Sequence, residues 1–276
     1  MKKTVLITGA SSGFGKVTAK LFARNGWHVV ATMRNPGGQT DLVDTNDVLV
    51  TRLDVQDRES IAEAIEAGLT RFGSIDALIN NAGFGLFGVF EATSREKIQE
   101  QFDVNVFGVM DVTRAVLPHF RKNKGGLIIN VSSGAGIFAL PMISLYCASK
   151  FALEGFSESL SYELASQNII VKIVEPGGVV STNFGKRSGA EAGQNASIAD
   201  YDAFMAQTNA VFAGLRGERR ATEADVAKVI FEAATDGTNQ LRYVATADIL
   251  PLVKARRETS EKEYIELMRA RFMTRG

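Results

Sequence analysis

The sequence predicts an α/β protein with a doubly wound parallel sheet of about seven strands and helices on both faces. Short β-branched apolar runs alternate with segments of helical periodicity along most of the 276 residues. Such alternation favours parallel strands joined by helical crossovers. The residues with unusual chemistry fall directly after the predicted strands. Ligands of open α/β sheets bind at the carboxyl ends of the strands, so a binding site is expected there.

The predicted elements follow one another without a linker, a repeat or a low-complexity segment. The predicted strands are Thr4–Thr8, Trp27–Met33, Val48–Leu53, Ile75–Ile79, Leu127–Val131, Ile169–Val174 and Leu241–Ala245. Side chains that cap helices precede three helical segments, at Asp57, Ser94 and Thr222. The segment after Ser94 is predicted to be helical to about Asn123, with a bend near Asn105.

One domain is expected over residues 1–276, with two additions to the alternating pattern. Residues 183–215 are rich in Ala, Gly, Ser and Asn and have weak periodicity, which predicts a partly helical flap over the strand ends. Residues 255–276 form a predicted C-terminal helical extension, with an apolar stripe at Tyr264, Leu267, Met268 and Phe272. Glu258 and Lys262 have the spacing of an exposed i, i+4 pair on that helix.

Composition excludes several functional classes. Lys plus Arg equals Asp plus Glu at 31 each, which gives no electrostatic case for a nucleic-acid or anionic-membrane partner. No apolar stretch approaches the length of a transmembrane helix, and the apolar run after Lys3 is too short for a signal peptide. One cysteine, Cys147, and two histidines, His28 and His119, argue against a disulfide framework and a metal site. A soluble cytoplasmic protein is expected.

A glycine-rich turn joins the first predicted strand to a helix. Backbone N–H groups and the helix dipole at such a turn approach a phosphate closely, which predicts a dinucleotide site. The spacing Gly-x-x-x-Gly-x-Gly differs from the commoner Gly-x-Gly-x-x-Gly, and a turn chosen for packing is the alternative. The predicted cofactor-binding residues are Gly9, Ser11, Ser12, Gly13, Phe14 and Gly15.

The end of the second predicted strand bears on the choice of cofactor. An acid near this position takes the ribose hydroxyls of NAD, whereas an arginine accommodates the 2′-phosphate of NADP. Residues 31–35 contain no acid and include Arg34, whose guanidinium matches a phosphate. NADP(H) is therefore the predicted cofactor, and a solvated arginine at a strand end is the alternative.

The strongest chemical signal is the run from Ser133 to Lys150. A buried strand ends at Ser132-Ser133-Gly134, and a predicted helix then carries Tyr146 and Lys150 one turn apart on one face. The arrangement brings a hydroxyl, a phenol and an ammonium together at one strand end. An ammonium favours the phenolate, so the pKa of Tyr146 is predicted to fall toward neutrality. These side chains could therefore serve in general acid/base catalysis without a histidine.

Taken in order, these motifs resemble the short-chain dehydrogenase/reductase family in its single-domain branch. The motifs are TGASSGFG (8–15), NNAG (80–83), DVNVFG around Asn105, NVSSGAG (130–136), YCASK (146–150) and VEPGG (174–178). The resemblance covers about residues 4–250 and implies a Rossmann-like fold. It also implies one dinucleotide-binding and catalytic domain, and a homodimer or homotetramer formed through the helices near Asn105 and Tyr146.

The resemblance assigns catalytic roles to four residues. Tyr146 would protonate a ketone oxygen or deprotonate an alcohol. Lys150 would lower the pKa of that tyrosine and bind the nicotinamide ribose. Ser133, rather than Ser132, would hold the substrate oxygen. Asn105 would keep its helix kinked and order a water that relays protons through Lys150.

Further cofactor contacts follow from the same resemblance. Beside Tyr146 and Lys150, they are Asp54 and Val55 at the adenine, Asn81, Ala82 and Gly83 at its ribose, Pro176 and Gly177 at the nicotinamide, and Ser181 or Thr182 at its carboxamide. Val179 is a further predicted cofactor contact. The family's threonine position is Ser181 here, with Thr182 next, so both hydroxyls stay open. The basic residue that NADP-preferring members place before the second glycine is Ser12, so the NADP(H) prediction rests on Arg34.

Apolar residues near the predicted catalytic residues indicate a lipophilic or aromatic substrate. They are Phe84, Leu86, Phe87, Phe90, Phe138, Leu140, Met142, Ile143 and Phe184. Packing in the protein core is the alternative for many of them. The stretch Gly83-Phe-Gly-Leu-Phe-Gly88 resembles that of family members acting on hydroxysteroids and retinoids.

The predicted function is an NADP(H)-dependent interconversion of a ketone or aldehyde and an alcohol on a small-molecule substrate. A regulator that senses NADP(H) without turnover is the alternative, although such sensors typically lack the tyrosine–lysine pair. An epimerase or dehydratase of nucleotide sugars is a third option. Relatives of that kind have a different glycine turn and a larger substrate domain.

Overall fold

The computed structural model describes residues 2–37, 41–43, 45–179, 198–218 and 221–273. Its strands are β1 (Thr4–Ile7), β2 (His28–Met33), β3 (Val48–Arg52), β4 (Ala77–Asn80), β5 (Gly126–Val131), β6 (Ile169–Glu175) and β7 (Arg242–Val244). They form one seven-stranded sheet in the order β3-β2-β1-β4-β5-β6-β7, in which every neighbouring pair is parallel. The predicted doubly wound parallel sheet is confirmed.

Helices cover both faces of the sheet and bury two separate cores. They are α1 (Gly13–Arg24), α2 (Arg58–Phe72), α3 (Arg95–Phe102), α4 (Gly108–Lys122), α5 (Ser144–Ala165), α6 (Asp202–Glu218), α7 (Glu223–Thr235), α8 (Leu250–Glu258) and α9 (Glu261–Phe272). One core contains Phe22 of α1 and Ile230 of α7. The other contains residues of α2, α4 and α5, among them Ile61, Val116 and Leu160. Burial of these faces is the main force that holds the helices on the sheet.

A third apolar cluster lies away from the sheet faces and joins the carboxyl-end loops to the C-terminal helices. It contains Phe138, Phe212 of α6, Leu252 of α8 and Tyr264 of α9, with Phe87 packed against it. The C-terminal extension and the described part of the flap therefore pack over the loops that follow β4 and β5.

The helices begin and end where their capping residues stand. The Asp57 side chain accepts from the N–H groups of Glu59 and Ser60 at the start of α2. Thr222 and Asp225 form a capping box at the start of α7. The helical region predicted after Ser94 is divided by a π-helical turn at Asp103–Phe107, which contains Asn105. This turn lies at the predicted bend.

The C-terminal extension differs from its prediction in two respects. It begins earlier, because α8 starts at Leu250, and it is broken after Glu258. Thr259 is extended and Ser260 starts a new helix with a capping box to Glu263. Glu258 and Lys262 therefore do not share a helix, and Lys262 lies 4.0 Å from Glu266 instead. Within the described ranges, every helix is too short or too polar to cross a lipid bilayer.

Candidate active site

The strand order reverses between β1 and β4, and the loops after these two strands are hydrogen-bonded to each other. The Thr8 hydroxyl oxygen accepts from the N–H groups of Asn81 and Ala82, each at 3.0 Å. The Asn81 side-chain amide donates to the carbonyl oxygens of Thr8 at 2.9 Å and Gly9 at 3.2 Å. The glycine turn and the Asn81–Gly83 loop thus form one rigid wall at the topological switch point, where open α/β sheets bind ligands.

Two glycines of the turn, Gly9 and Gly15, stand where a Cβ would collide with neighbouring atoms. Gly9 has a φ of +69°, and a Cβ there would lie 2.9 Å from the Cα of Ala82. A Cβ on Gly15 would collide with the Gly9 carbonyl oxygen and lie 2.5 Å from Asn81 Nδ2. Gly13 has a φ of +54° and faces open space, and Ser12 makes no side-chain capping bond to α1. The exposed backbone N–H groups at this helix start fit a phosphate group.

The predicted adenine-end residues lie at the ends of β2 and β3. Arg34 is exposed directly after β2, and the nearby Thr32 carbonyl accepts from the Ala10 N–H of the glycine turn at 2.9 Å. The Asp54 carboxylate accepts from the Gln56 N–H at 3.1 Å. Val55 is buried against the first residue of α4. These strand ends adjoin the glycine turn, as an adenosine site requires.

The predicted catalytic residues meet at the carboxyl end of β5. Tyr146 and Lys150 lie on consecutive turns of α5, and both are buried. The Ser133 hydroxyl oxygen accepts from the Ala135 N–H at 3.1 Å. That hydroxyl is also hydrogen-bonded to the Tyr146 phenol. Lys150 Nζ donates to the Val131 carbonyl at 2.9 Å and lies 5.8 Å from the centroid of the Tyr146 ring.

The pKa of Tyr146 runs opposite to the prediction from sequence. Burial raises the pKa of this phenol to about 12, and the hydrogen bond from Ser133 only partly opposes it. The predicted lowering was wrong because desolvation of the buried phenolate is the largest influence on this pKa and exceeds the lowering by Ser133. Burial also lowers the pKa of Lys150 to about 8. The pair is therefore a neutral phenol beside an ammonium that loses its proton more easily than a free lysine.

Asn105 connects Phe84, the residue directly after the Asn81–Gly83 loop, to α5. Its amide oxygen accepts from the Phe84 N–H at 3.1 Å, and its amide nitrogen donates to the Phe84 carbonyl at 2.8 Å. The same nitrogen donates to the Ser149 hydroxyl at 3.1 Å, which in turn donates to the Tyr146 carbonyl at 2.8 Å. A Cβ on Gly83 would lie 3.2 Å from the Asn105 oxygen and 3.8 Å from Lys150 Nζ. Asn105 and Lys150 thus flank one backbone position.

The predicted nicotinamide-end residues follow β6. The Pro176 carbonyl accepts from the Gly134 N–H at 2.8 Å, next to Ser133, and the Gly177 N–H donates to the Thr246 hydroxyl at 2.8 Å. Val179 is buried in the core that contains α1. The two carboxamide candidates, Ser181 and Thr182, lie outside the described residues.

The apolar residues predicted to line a substrate pocket divide into two groups. Phe84, Leu86 and Phe138 are buried in the interior, and Phe87 and Leu140 pack against the C-terminal cluster. Ile143 packs against Tyr146 and its neighbours, and Phe184 lies outside the described residues. Met142 and Phe90 line a cavity of about 420 Å³, together with Gly88, Val89, Glu91, Ser144, Tyr201 and Phe204. Core packing is therefore the correct interpretation for most of the predicted set.

Sequence reasoning missed three buried polar residues around the site. Thr8 joins the two loops at the switch point, and its place directly before the glycine turn was a usable signal. Ser149 joins Asn105 to the Tyr146 backbone. Glu154 is buried one turn beyond Lys150, and its i+4 spacing from that lysine was the available signal.

Comparison with known proteins agrees with this geometry. Residues 3–192 match the sequence model of a family described as short chain dehydrogenase. An uncharacterized oxidoreductase of Schizosaccharomyces pombe is 39% identical over 213 residues, which cover 76% of this chain and 87% of that protein. The 3-ketodihydrosphingosine reductase of Bacteroides thetaiotaomicron is 40% identical over 197 residues, or 71% of each chain. Retinol dehydrogenase 8 of Homo sapiens is 40% identical over 193 residues, 67% of this chain and 61% of that protein.

Solved structures share the whole architecture. A short-chain dehydrogenase from Streptomyces avermitilis superimposes with a TM-score of 0.82 at 30% identity, over 98% of this chain and 97% of that one. A short chain dehydrogenase/reductase from Burkholderia phymatum in complex with NAD gives 0.77 at 27% identity, over 96% and 95%. ElxO with NADP bound gives 0.70 at 28% identity, over 89% and 98%. The family model matches residues 3–192, which is more than half of this chain. The protein is therefore an oxidoreductase of the short-chain dehydrogenase/reductase family.

Proposed function

We propose that the protein is an NADP(H)-dependent oxidoreductase that interconverts a ketone or aldehyde and an alcohol, with Tyr146 as the general acid/base. The observation that carries the proposal is the hydrogen bond between Ser133 and the buried Tyr146, with Lys150 one turn further along α5. This group lies at the strand ends, beside a glycine turn that fits a phosphate. We also propose that the chain forms one domain and works in the cytoplasm, where its single cysteine fits a reducing environment.

The arrangement supports proton donation to a developing alkoxide. The Ser133 oxygen is held by the Ala135 N–H, which leaves its hydroxyl hydrogen free to donate to Tyr146 or to a substrate oxygen bound between them. A neutral Tyr146 phenol is a proton donor, and its raised pKa keeps it protonated through the physiological range. Lys150 stabilises the phenolate that donation leaves behind. Two hydroxyl donors on one carbonyl oxygen polarise it in a water-poor site.

A nicotinamide dinucleotide supplies the hydride when it is bound. The glycine turn, Asn81–Gly83 and Pro176–Gly177 would hold it, because they form one continuous edge from the β1–β4 switch point to Ser133. Arg34 supports the phosphorylated form of the cofactor, since it is an exposed guanidinium at the end of β2. The NADP of ElxO and the NAD of the Burkholderia protein make both forms reasonable starting points.

An apolar substrate is supported by the walls of the cavity next to α5. Phe90 and Phe204, which are exposed large apolar side chains, belong to its lining, and so does Met142, four residues before Tyr146. In this lining, the Tyr201 hydroxyl donates to the Glu91 carboxylate at 3.0 Å. The relatives named as 3-ketodihydrosphingosine reductase and retinol dehydrogenase 8 support the same substrate class.

The test is cofactor oxidation with a matched panel of carbonyl compounds. Long-chain and aromatic ketones are compared with small charged ketones of similar electrophilicity, each with NADPH and with NADH. The expected result is turnover of the apolar members with NADPH preferred. A preference for the charged members would overturn the substrate class. Tight NADPH binding without turnover of any member would favour the regulatory alternative.

A further inference from the structure

The catalytic face of α5 continues one turn beyond the proposed catalytic pair. Tyr146, Lys150 and Glu154 follow at intervals of four residues and are 9%, 5% and 6% exposed. Such a spacing stacks side chains on one face of a helix. The Glu154 carboxylate raises the pKa of Lys150, against the burial that lowers it to about 8.

The other groups around Lys150 are neutral in the physiological range. On α5 they are Tyr146 and Cys147, and burial raises the pKa of both. The Val131 carbonyl of β5 accepts from Nζ, and the Asn105 amide lies across Gly83. Among the described residues, Glu154 is the one charged group that acts on this ammonium. A buried ammonium without a counter-charge loses its proton readily.

Glu154 is held in place by the turn that carries Ser133. A Cβ on Gly136 would lie 2.9 Å from Glu154 Cγ, 2.8 Å from the Ser132 hydroxyl and 3.1 Å from the Lys150 carbonyl oxygen. The absence of a side chain at Gly136 therefore lets this turn pack directly on α5 between Lys150 and Glu154. The same glutamate therefore adjoins the turn that carries Ser133, one helical turn beyond Lys150.

A guanidinium from β7 provides the counter-charge for Glu154. Arg242 Nε donates to Glu154 Oε2 at 3.0 Å, and Arg242 Nη2 donates to Glu158 Oε2 at 2.6 Å. Burial raises the pKa of Glu154, whereas the Ser132 hydroxyl, Arg242 and Arg257 lower it. Without Arg242, a carboxylate buried to this degree would take up a proton and lose its charge.

A second buried acid competes for the same guanidinium. Glu175, the residue before Pro176, is fully buried and lies 3.6 Å from Arg242 Nε. Arg257 of α8 donates to it at 2.6 Å. Burial and the nearby Glu154 charge raise the pKa of Glu175, while both arginines oppose this. Arg257 thus provides a counter-charge for Glu175, so that Arg242 can act as the counter-charge of Glu154.

We infer that Glu154 is a positioning residue of the active site: it keeps the Lys150 ammonium charged, and Arg242 keeps Glu154 charged in turn. The inference deepens the proposed function, on which its catalytic consequence rests. The charge relay runs from Lys150 through Glu154 and Arg242 to the strand end that carries Pro176.

The direct test measures the protonation of Lys150 without any turnover. Protein labelled with [ε-¹³C]lysine is titrated by NMR, and the Lys150 resonance is assigned by its loss in Lys150→Arg. In Glu154→Gln the Lys150 midpoint is expected to fall by about one pH unit relative to wild type. Glu158→Gln is the matched control, because Glu158 contacts the same arginine but its side chain is 43% exposed and lies a turn further from Lys150. Its midpoint should equal that of wild type.

Two further variants separate charge from packing. Glu154→Asp retains the charge and should keep the Lys150 midpoint within a few tenths of a unit. It also serves if Glu154→Gln does not fold. Arg242→Gln should also lower the Lys150 midpoint, by no more than Glu154→Gln does, because Glu154 takes up a proton more readily without its guanidinium. An unchanged midpoint in folded Glu154→Gln would overturn the inference, and so would an equal fall in Glu158→Gln.

Turnover supplies the second readout and distinguishes the two proposals. The alkaline limb of the rate of carbonyl reduction should move to lower pH in Glu154→Gln by the same interval as the NMR midpoint. A moved NMR midpoint in a protein that turns over no carbonyl would overturn the proposed function and leave the charge relay supported. A lower kcat in Glu154→Gln with the limb in its wild-type place would assign Glu154 a purely structural role.

Discussion

The two sides of the candidate site are built by different means. The glycine turn works through backbone groups, and it depends on missing atoms at Gly9 and Gly15, where a Cβ would strike neighbouring backbone. The face of α5 works through buried side chains whose charges are balanced by residues far away in the chain, such as Arg242. The turn should therefore lose its function when an atom is added. The helix face should lose its function when a charge or a proton donor is removed.

The largest expected effect is on the helix side. Tyr146→Phe removes the proposed proton donor and leaves the packing of the ring in place, so kcat should fall by about 10³-fold. The dissociation constant of NADPH should change little. Steady-state kinetics and fluorescence titration measure the two quantities. Tyr162→Phe is the control, because Tyr162 lies on the same helix but is 71% exposed, and it should behave as wild type. Equal activity of both variants would contradict the role of Tyr146.

The turn side is tested by adding a methyl group. Gly15→Ala places a Cβ against the Gly9 carbonyl and Asn81, so the free energy of unfolding should fall by about 2 kcal/mol and NADPH binding should weaken. Gly155→Ala adds the same group inside α5 with no atom within 4 Å, and it should raise the free energy of unfolding by about 1 kcal/mol. Urea unfolding with and without NADPH compares the two. A stable Gly15→Ala variant with wild-type affinity would contradict the tight-turn explanation.

The third test concerns cofactor choice. It examines Arg34, a side chain on the same side of the site as the glycine turn. Arg34→Ala should weaken NADPH binding by about 10-fold or more, since a hydrogen bond to a charged phosphate contributes about 1.5–3 kcal/mol. NADH lacks this phosphate, so its affinity serves as the internal control and should change by less than about 2-fold. Calorimetric titration of both cofactors gives the comparison. An equal loss for the two cofactors would refute the phosphate role of Arg34.

The two sides also differ in how much of them could be predicted from sequence. The glycine turn, Arg34 and the Tyr146–Lys150 spacing are local patterns, so their position at the strand ends followed from the βα alternation. The Glu154–Arg242 pair spans 88 residues of sequence, and only the folded chain shows that the two meet. The direction of the Tyr146 pKa depends on burial, which spacing does not report.

The substrate side and the C-terminus were predicted least well, for physical reasons. Apolar residues such as Phe90 and Phe138 look alike in sequence, although one is 62% exposed at a cavity and the other lies in the interior. Only the course of the loops decides which way each ring points. The break before α9, in contrast, had a local signal: Ser260 and Glu263 form a capping box of the usual spacing. This signal was overlooked because the extension was interpreted from its apolar stripe, Tyr264 to Phe272, as one helical segment.

The smallest expected effect is on the free energy of unfolding. Whereas Gly15→Ala in the turn should lower it, a substitution on the helix side should raise it. Lys150→Met removes a buried charge, so it should raise the free energy of unfolding at pH 7 by about 1–2 kcal/mol, after the lost bond to Val131 is subtracted. The folded-state pKa of Lys150 is about 8, below its ordinary 10.5. The unfolded chain therefore binds more protons between these values, and the wild type gains stability as the pH rises through them. The advantage of Lys150→Met should be greatest below pH 8 and shrink above it.

Urea unfolding at pH 7 and at pH 9.5 measures this change in advantage, with Lys228→Met as the control. The Lys228 side chain is 73% exposed, so its replacement should leave the free energy of unfolding at pH 7 close to that of wild type. A Lys150→Met variant less stable than wild type at pH 7 would mean that the Glu154 charge more than offsets the desolvation of the ammonium. Substitutions on the helix side would then destabilise the fold, as Gly15→Ala is expected to do in the glycine turn.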